Sequence, residues 1–247
     1  MITLQAEPQV ASRRHRAAGW MLHAYTAFGS VLALLAVVAA VEGQTVQALW
    51  ILLAALVIDG TDGTLARRLR VKETIPEFDG ARLDDIVDYL TYVFAPMVLL
   101  WAGGYLPAGP LGLVLAAIPL VASSYQFCRT DAKTEDHYFL GFTSYWNVVA
   151  FYVVVMDLGP AVTTAVLLAC AVLVFVPVKY LYPSRTRVLR RLNLALAVVW
   201  VALCALILHN QPEPHPVVVG LSLGSIAYYV VVSVYLTLTQ SRSRPRR

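Results

Sequence analysis

Eight apolar runs, at roughly residues 20–42, 45–65, 84–105, 108–128, 142–157, 160–181, 188–209 and 216–238, leave this chain few ways to fold. Most of them come near the ~20 residues that an α-helix needs to cross a bilayer. Lipid offers no partners to backbone N–H and C=O groups, so such runs must satisfy them internally, as helices. With 59% hydrophobic residues and a mean hydropathy of +0.67, the chain is too apolar for an ordinary soluble domain. The expected fold is all-α and polytopic, with about eight transmembrane helices in a single unit over residues 20–238. Residues 1–19 read as a cytoplasmic N-terminal segment and 239–247 as a basic cytoplasmic tail. The fifth run is the weakest span, because Asp157 and Pro160 crowd its end.

Positive charge tests this topology, since Lys and Arg collect on the cytoplasmic side. All 19 fall before the first run, between the end of an even-numbered run and the start of the next, or at the C-terminus, with Lys179, Arg190 and Arg191 in the facing ends of the sixth and seventh runs, whereas the opposite side holds only Glu42, Asp157 and Glu213. Eight spans with both termini cytoplasmic follow, in a multi-pass membrane protein. The net charge of +4 is thus first a topology signal and second an attraction to anionic lipid; no nucleic-acid partner is expected. Cys128, Cys170 and Cys204 fall within the runs without metal-ligand spacing and read as small apolar residues.

Against this background, acids at the mouths of two apolar runs stand out. Asp59 and Asp62 are three residues apart, and Asp84 and Asp88 four apart, so each pair projects from one helix face. Carboxylates beside hydrocarbon are costly, and mutual repulsion adds to the cost unless cations neutralise them. Hard oxygen ligands suit magnesium or manganese rather than zinc. Gly60 and Gly63 flank the first pair and permit close approach of a backbone or ligand. The polar stretch 68–79, with Pro76, reads as a loop or short surface helix, and His23, Tyr25 and Thr26 lie level with the acids as a polar helix mouth or as ligand contacts. Between the fourth and fifth runs, residues 125–147 mix acids with a dense aromatic set, an interfacial belt or a pocket for a cationic headgroup.

The pattern DxxDGxxAR over 59–67, followed by GxxxDxxxD over 80–88, resembles the signature of the CDP-alcohol phosphotransferase family of membrane enzymes, with every fixed position matched. The 12 residues between Arg67 and Gly80 exceed the gap of most members and are similar to its bacterial, choline-using branch, as is the run from Lys133 to Tyr152. The resemblance implies transfer of a phosphatidyl group from CDP-diacylglycerol to choline, giving phosphatidylcholine and CMP. It implies Mn²⁺ or Mg²⁺, as two ions, among Asp59, Asp62, Asp84 and Asp88, with Asp88 as the general base. It also implies contacts to CDP from Asp62, Gly63, Ala66, Arg67 and Gly80, and it is compatible with a homodimer. For choline the aromatic stretch offers Tyr145, Trp146, Tyr138 and Glu135. Asp85 lies outside the pattern and reads as a solvated face residue.

Other readings remain open at this point. Another acceptor such as serine, glycerol phosphate or inositol phosphate is compatible with the same motif. An intramembrane prenyltransferase also uses Asp-rich motifs, although the second half of this chain has no Asp cluster. A cation transporter would place its carboxylates nearer the bilayer midplane.

Overall fold

The apolar runs fold as helices in a computed structural model that describes residues 13–132, 134, 138–182 and 190–242. In chain order these are α1 (Arg13–Val41), α2 (Thr45–Arg68), the short α3 (Val71–Thr74), α4 (Gly80–Asp88), a π-helical turn (Tyr89–Phe94), α5 (Ala95–Ala102), α6 (Pro110–Cys128), α7 (Trp146–Val155), α8 (Pro160–Phe175), α9 (Arg190–His209) and α10 (Pro216–Arg242). Taking α4, the π turn and α5 as one continuous helix, six helices among the described residues are long and apolar enough to cross a membrane. The other two apolar helices, α7 and α8, have 10 and 16 residues. At 1.5 Å per residue α7 rises about 15 Å, half of a hydrocarbon core of about 30 Å.

Local chemistry accounts for several boundaries. The third span begins at Gly80 rather than at 84, because the Asp79 side chain caps α4 by accepting from the N–H groups of Ala81 and Arg82, both at 3.1 Å. The sixth span stops at Phe175, short of the expected 181, where Pro177 follows within two residues. Residues beyond it form a strand, β2 (Lys179–Leu181), which pairs antiparallel with β1 (Tyr138–Leu140) in the register Tyr138 to Leu181. The free edge of β2 is closed by α10, whose Thr237 and Ser233 hydroxyls accept from Lys179 N–H at 2.8 Å and Leu181 N–H at 3.2 Å. Gly141 ends β1 with φ +82°, and a Cβ there would lie 2.3 Å from the Val174 carbonyl oxygen, so both conformation and space demand glycine.

The π turn also has a local cause. Pro96 has no N–H, and in an α-helix its ring would clash with the carbonyl of Tyr92, four residues earlier. The helix widens just before it, and Ala95 N–H bonds to the Leu90 carbonyl, five residues back.

The main core gathers small residues of α1, leucines of α2, and Val93, Met97, Leu99, Leu100, Trp146 and Phe151. A second, smaller core of Leu22, Val71 and Ile75, with Tyr25, Ala66, Leu69 and Phe78 against it, pins the 68–79 stretch under α1. Arg16 locks the same contact by pairing with Glu77 and by donating to the Thr74 carbonyl at 3.1 Å. The 12-residue gap is therefore a packed insert containing a single turn of helix.

Candidate active site

Two helices bring the carboxylates together. Asp59 lies in the second half of α2 and Asp84 and Asp88 on α4, and one carboxylate oxygen from each lies within 4.8 Å of the other two. All three side chains are half-buried. The structure thus assembles three of the four expected carboxylates around one point. Asp62 stands outside that trio, buried, with its Oδ2 accepting from the Thr26 hydroxyl of α1 at 2.7 Å. Asp85, outside the motif, is also half-buried.

The trio suits a divalent ion in donor type and reach. Asp oxygens are hard ligands, and two oxygens on opposite sides of one magnesium stand about 4.2 Å apart. A spread of at most 4.8 Å comes within that reach after a small side-chain adjustment. Repulsion among three partly desolvated carboxylates supplies the energetic reason to take up a cation.

Neighbouring side chains set this geometry. Tyr92, 5% exposed, donates its phenol to Asp59 Oδ2 at 2.5 Å. Sequence reading gives Tyr92 no role, although its four-residue spacing from Asp88 is the signal that could mark it. Tyr25 and Thr61 share a hydroxyl hydrogen bond of 2.9 Å that joins α1 to α2 beside Asp62. Helix α1 approaches α4 closely through glycine: a Cβ on Gly29 would lie 2.5 Å from Val87 Cγ1. Gly80 is tight for a similar reason, since a Cβ there would lie 2.7 Å from His23 Cε1, and His23 packs against Trp20 and Phe78. Gly80 thus serves the packing of α4 against His23 of α1.

The remaining residues expected at a nucleotide follow α2. Around Gly60 there is open space, and a Cβ on Gly63 would meet only Arg67 Nη1, at 3.4 Å. Arg67 is exposed and donates to Thr64 Oγ1 at 3.0 Å, which lays its guanidinium along the helix over Gly63. Ala66 backs onto the small core under α1.

The aromatic residues divide by position. Tyr145 precedes α7 and lies between Tyr92, at 5.8 Å between ring centres, and Tyr229 of α10, at 6.3 Å. Tyr229 in turn stacks near Tyr180 and donates to the Leu181 carbonyl, so the last helix, α10, also reaches the site. Trp146 is fully enclosed and donates its indole N–H to Ser123 at 2.7 Å. The ring of Tyr138 carries the Lys179 ammonium 5.2 Å from its centre, and Glu135 lies outside the described residues. At the foot of this region Arg129 grips Asp131 through two bonds of 2.6 and 2.7 Å, which hold the Asp131 carboxyl below its ordinary range.

Known proteins resemble this chain over most of its length. Phosphatidylcholine synthase of Pseudomonas aeruginosa is 41% identical over 222 residues, 90% of this chain and 92% of the relative. Phosphatidylcholine synthase of Legionella pneumophila is 40% identical over 227 residues, 89% of each chain. The protein of the same name from Borreliella burgdorferi is 33% identical over 220 residues, 88% of this chain and 94% of the relative. The pattern described as CDP-alcohol phosphatidyltransferase matches residues 23–239, which hold the carboxylate trio, all of α2 to α9 and most of α1 and α10. With its motif, its helical frame and its relatives in agreement, the chain belongs to the CDP-alcohol phosphatidyltransferase family.

Proposed function

We propose that this chain transfers the phosphatidyl group of CDP-diacylglycerol to choline, forming phosphatidylcholine and CMP. The observation that carries the reading is the meeting of Asp59, Asp84 and Asp88 at the mouths of two apolar helices, in a chain whose relatives are named phosphatidylcholine synthase. In the reaction the choline hydroxyl oxygen attacks the phosphorus that bears diacylglycerol. The bond from that phosphorus to the bridging pyrophosphate oxygen breaks, CMP leaves with the electron pair, and the hydroxyl proton passes to Asp88. An alcohol is a weak nucleophile at neutral pH, so a carboxylate beside it supplies what water does not.

Asp59, Asp62, Asp84 and Asp88 would hold Mg²⁺ or Mn²⁺, as two ions. The metal would screen the pyrophosphate and stabilise the charge growing on the departing phosphate. Arg67 would turn from Thr64 to the CDP phosphates, where its planar fork matches their oxygens. Gly63 and Ala66 leave room for the nucleotide beside Asp62, and Gly80 lets His23 and α4 close on that side. Tyr145, between Tyr92 and Tyr229, would face the quaternary ammonium, which aromatic faces attract. Trp146 and Tyr138 would support that wall from behind, and Glu135 would add a negative charge.

The site would open to the cytoplasm of a bacterial inner membrane, where the Lys and Arg residues collect. Each copy carries a whole site, so a homodimer would hold two. An acceptor panel tests the reading: CMP release from CDP-diacylglycerol is measured with choline, serine, glycerol 3-phosphate and inositol phosphate. Release specific to choline is expected, and equal release with serine would overturn the choice of acceptor.

A further inference from the structure

We infer that Tyr92, which lies outside the Asp motif, is a positioning residue that fixes the Asp59 carboxylate for metal binding. The inference rests on reading the Asp trio as the metal site and says which residue outside the motif prepares it. The contact is specific: a phenol, 5% exposed, donates to one oxygen of Asp59 at 2.5 Å, within the range of an O–H bonded to an ionised acceptor. A carboxylate has about four acceptor sites, and one phenol occupies one of them. The plane of the group is thereby set while acceptor sites remain for a cation.

The backbone explains why Tyr92 can reach. On a regular α-helix the four-residue step from Asp88 to Tyr92 overshoots a full turn by about 40°. The π turn at Tyr89–Phe94, opened ahead of Pro96, turns less per residue and opposes that drift. Tyr92 therefore remains on the face of the third span that carries Asp84 and Asp88, opposite Asp59 on α2. Tyr89, at the start of the same turn, points elsewhere and donates to the Leu120 carbonyl of α6 at 3.0 Å. Groups that orient a metal's ligands typically govern affinity by 10- to 100-fold.

The test is Mn²⁺ binding to the full-length chain in detergent, followed by electron paramagnetic resonance of the free ion, without substrate. Tyr92→Phe keeps the ring and its packing, and it is expected to weaken Mn²⁺ binding by about 10- to 100-fold. Tyr89→Phe, which removes a hydroxyl from the same turn, is expected to bind as the parent does. On an Asp59→Ala background, the added Tyr92→Phe change is expected to alter affinity less than about twofold, because its only route is through Asp59. Unchanged affinity in Tyr92→Phe, equal weakening in Tyr89→Phe, or a full further loss on Asp59→Ala would each overturn the inference. A parent chain that binds no Mn²⁺ would overturn it together with the metal reading. Mn²⁺ binding that follows the expected pattern without choline-dependent CMP release would support it and sink the choline reading alone.

Discussion

Replacing Gly29 with Ala puts one methyl group where α1 meets the carboxylate helix. The new Cβ would lie 2.5 Å from Val87 Cγ1, whereas carbon atoms rest about 3.5–4.0 Å apart. The shortfall is roughly 1 Å, and Val87, 5% exposed, has little freedom to absorb it. A β-branched side chain in a helix keeps one strongly preferred rotamer, so the backbone of α4 must move instead. Val87 adjoins Asp88, and that motion opens the carboxylate trio. A displacement of this size costs about 10²-fold in rate when it misplaces reacting groups. Gly29→Ala should therefore lower kcat for CMP release by about 10², while the chain still folds. Adding Val87→Ala vacates the space and should restore most of the activity, a non-additive pair of the kind expected for atoms in contact. Wild-type turnover in Gly29→Ala, or a double variant as slow as the two single losses combined, would refute the reasoning.

Four further outcomes follow from the site. Asp88→Asn should reduce turnover by about 10²–10⁴ while CDP-diacylglycerol still binds, which equilibrium binding and single-turnover kinetics together would show. Thr26→Val removes the donor to buried Asp62, a hydrogen bond to a charged group worth roughly 1.5–3 kcal/mol, so kcat/KM for CDP-diacylglycerol should fall about tenfold or more in steady-state assays. The aromatic residues should separate by assay. Tyr145→Ala should raise the choline KM about 2- to 30-fold, the equivalent of a cation–π contact of roughly 0.5–2 kcal/mol. Trp146→Phe leaves Ser123 buried without its indole donor and should cost about 1–3 kcal/mol of stability in thermal unfolding, with the choline KM unchanged.

What could be read from the residues alone follows the range of the interaction. Spacing within one helix is local, so the shared face of Asp84 and Asp88, and the hydrocarbon cost that calls for a cation, were legible before any fold was known. The pairing of that face with Asp59 was legible as well, because two apolar spans joined by a short segment must lie side by side. Contacts between distant segments left less trace. The strand pair Tyr138–Leu140 with Lys179–Leu181 joins residues some forty apart, and the apolar stretch before β2 reads simply as more helix. Gly29 facing Val87, and His23 filling the space beside Gly80, depend on the crossing of α1 over α4, which no periodicity records. Tyr92 is an intermediate case: its spacing from Asp88 is visible, but its aim depends on a π turn whose only sequence mark is Pro96. Likewise aromatic density drew attention to Trp146 and Tyr138, whereas enclosure in the core and the Lys179 ammonium distinguish them from Tyr145.

The central claim is choline-dependent, metal-dependent phosphatidyl transfer at the Asp trio. Its most direct measurement uses the purified full-length chain, CDP-diacylglycerol and radiolabelled choline, stripped of metal by chelator and then given Mn²⁺ or Mg²⁺. The account predicts labelled phosphatidylcholine and an equal amount of CMP once metal is restored, with neither formed in the chelator and both formed about 10²–10⁴ times more slowly by Asp88→Asn. Absence of choline-dependent CMP release with both metals, or transfer that persists in the chelator, would contradict it.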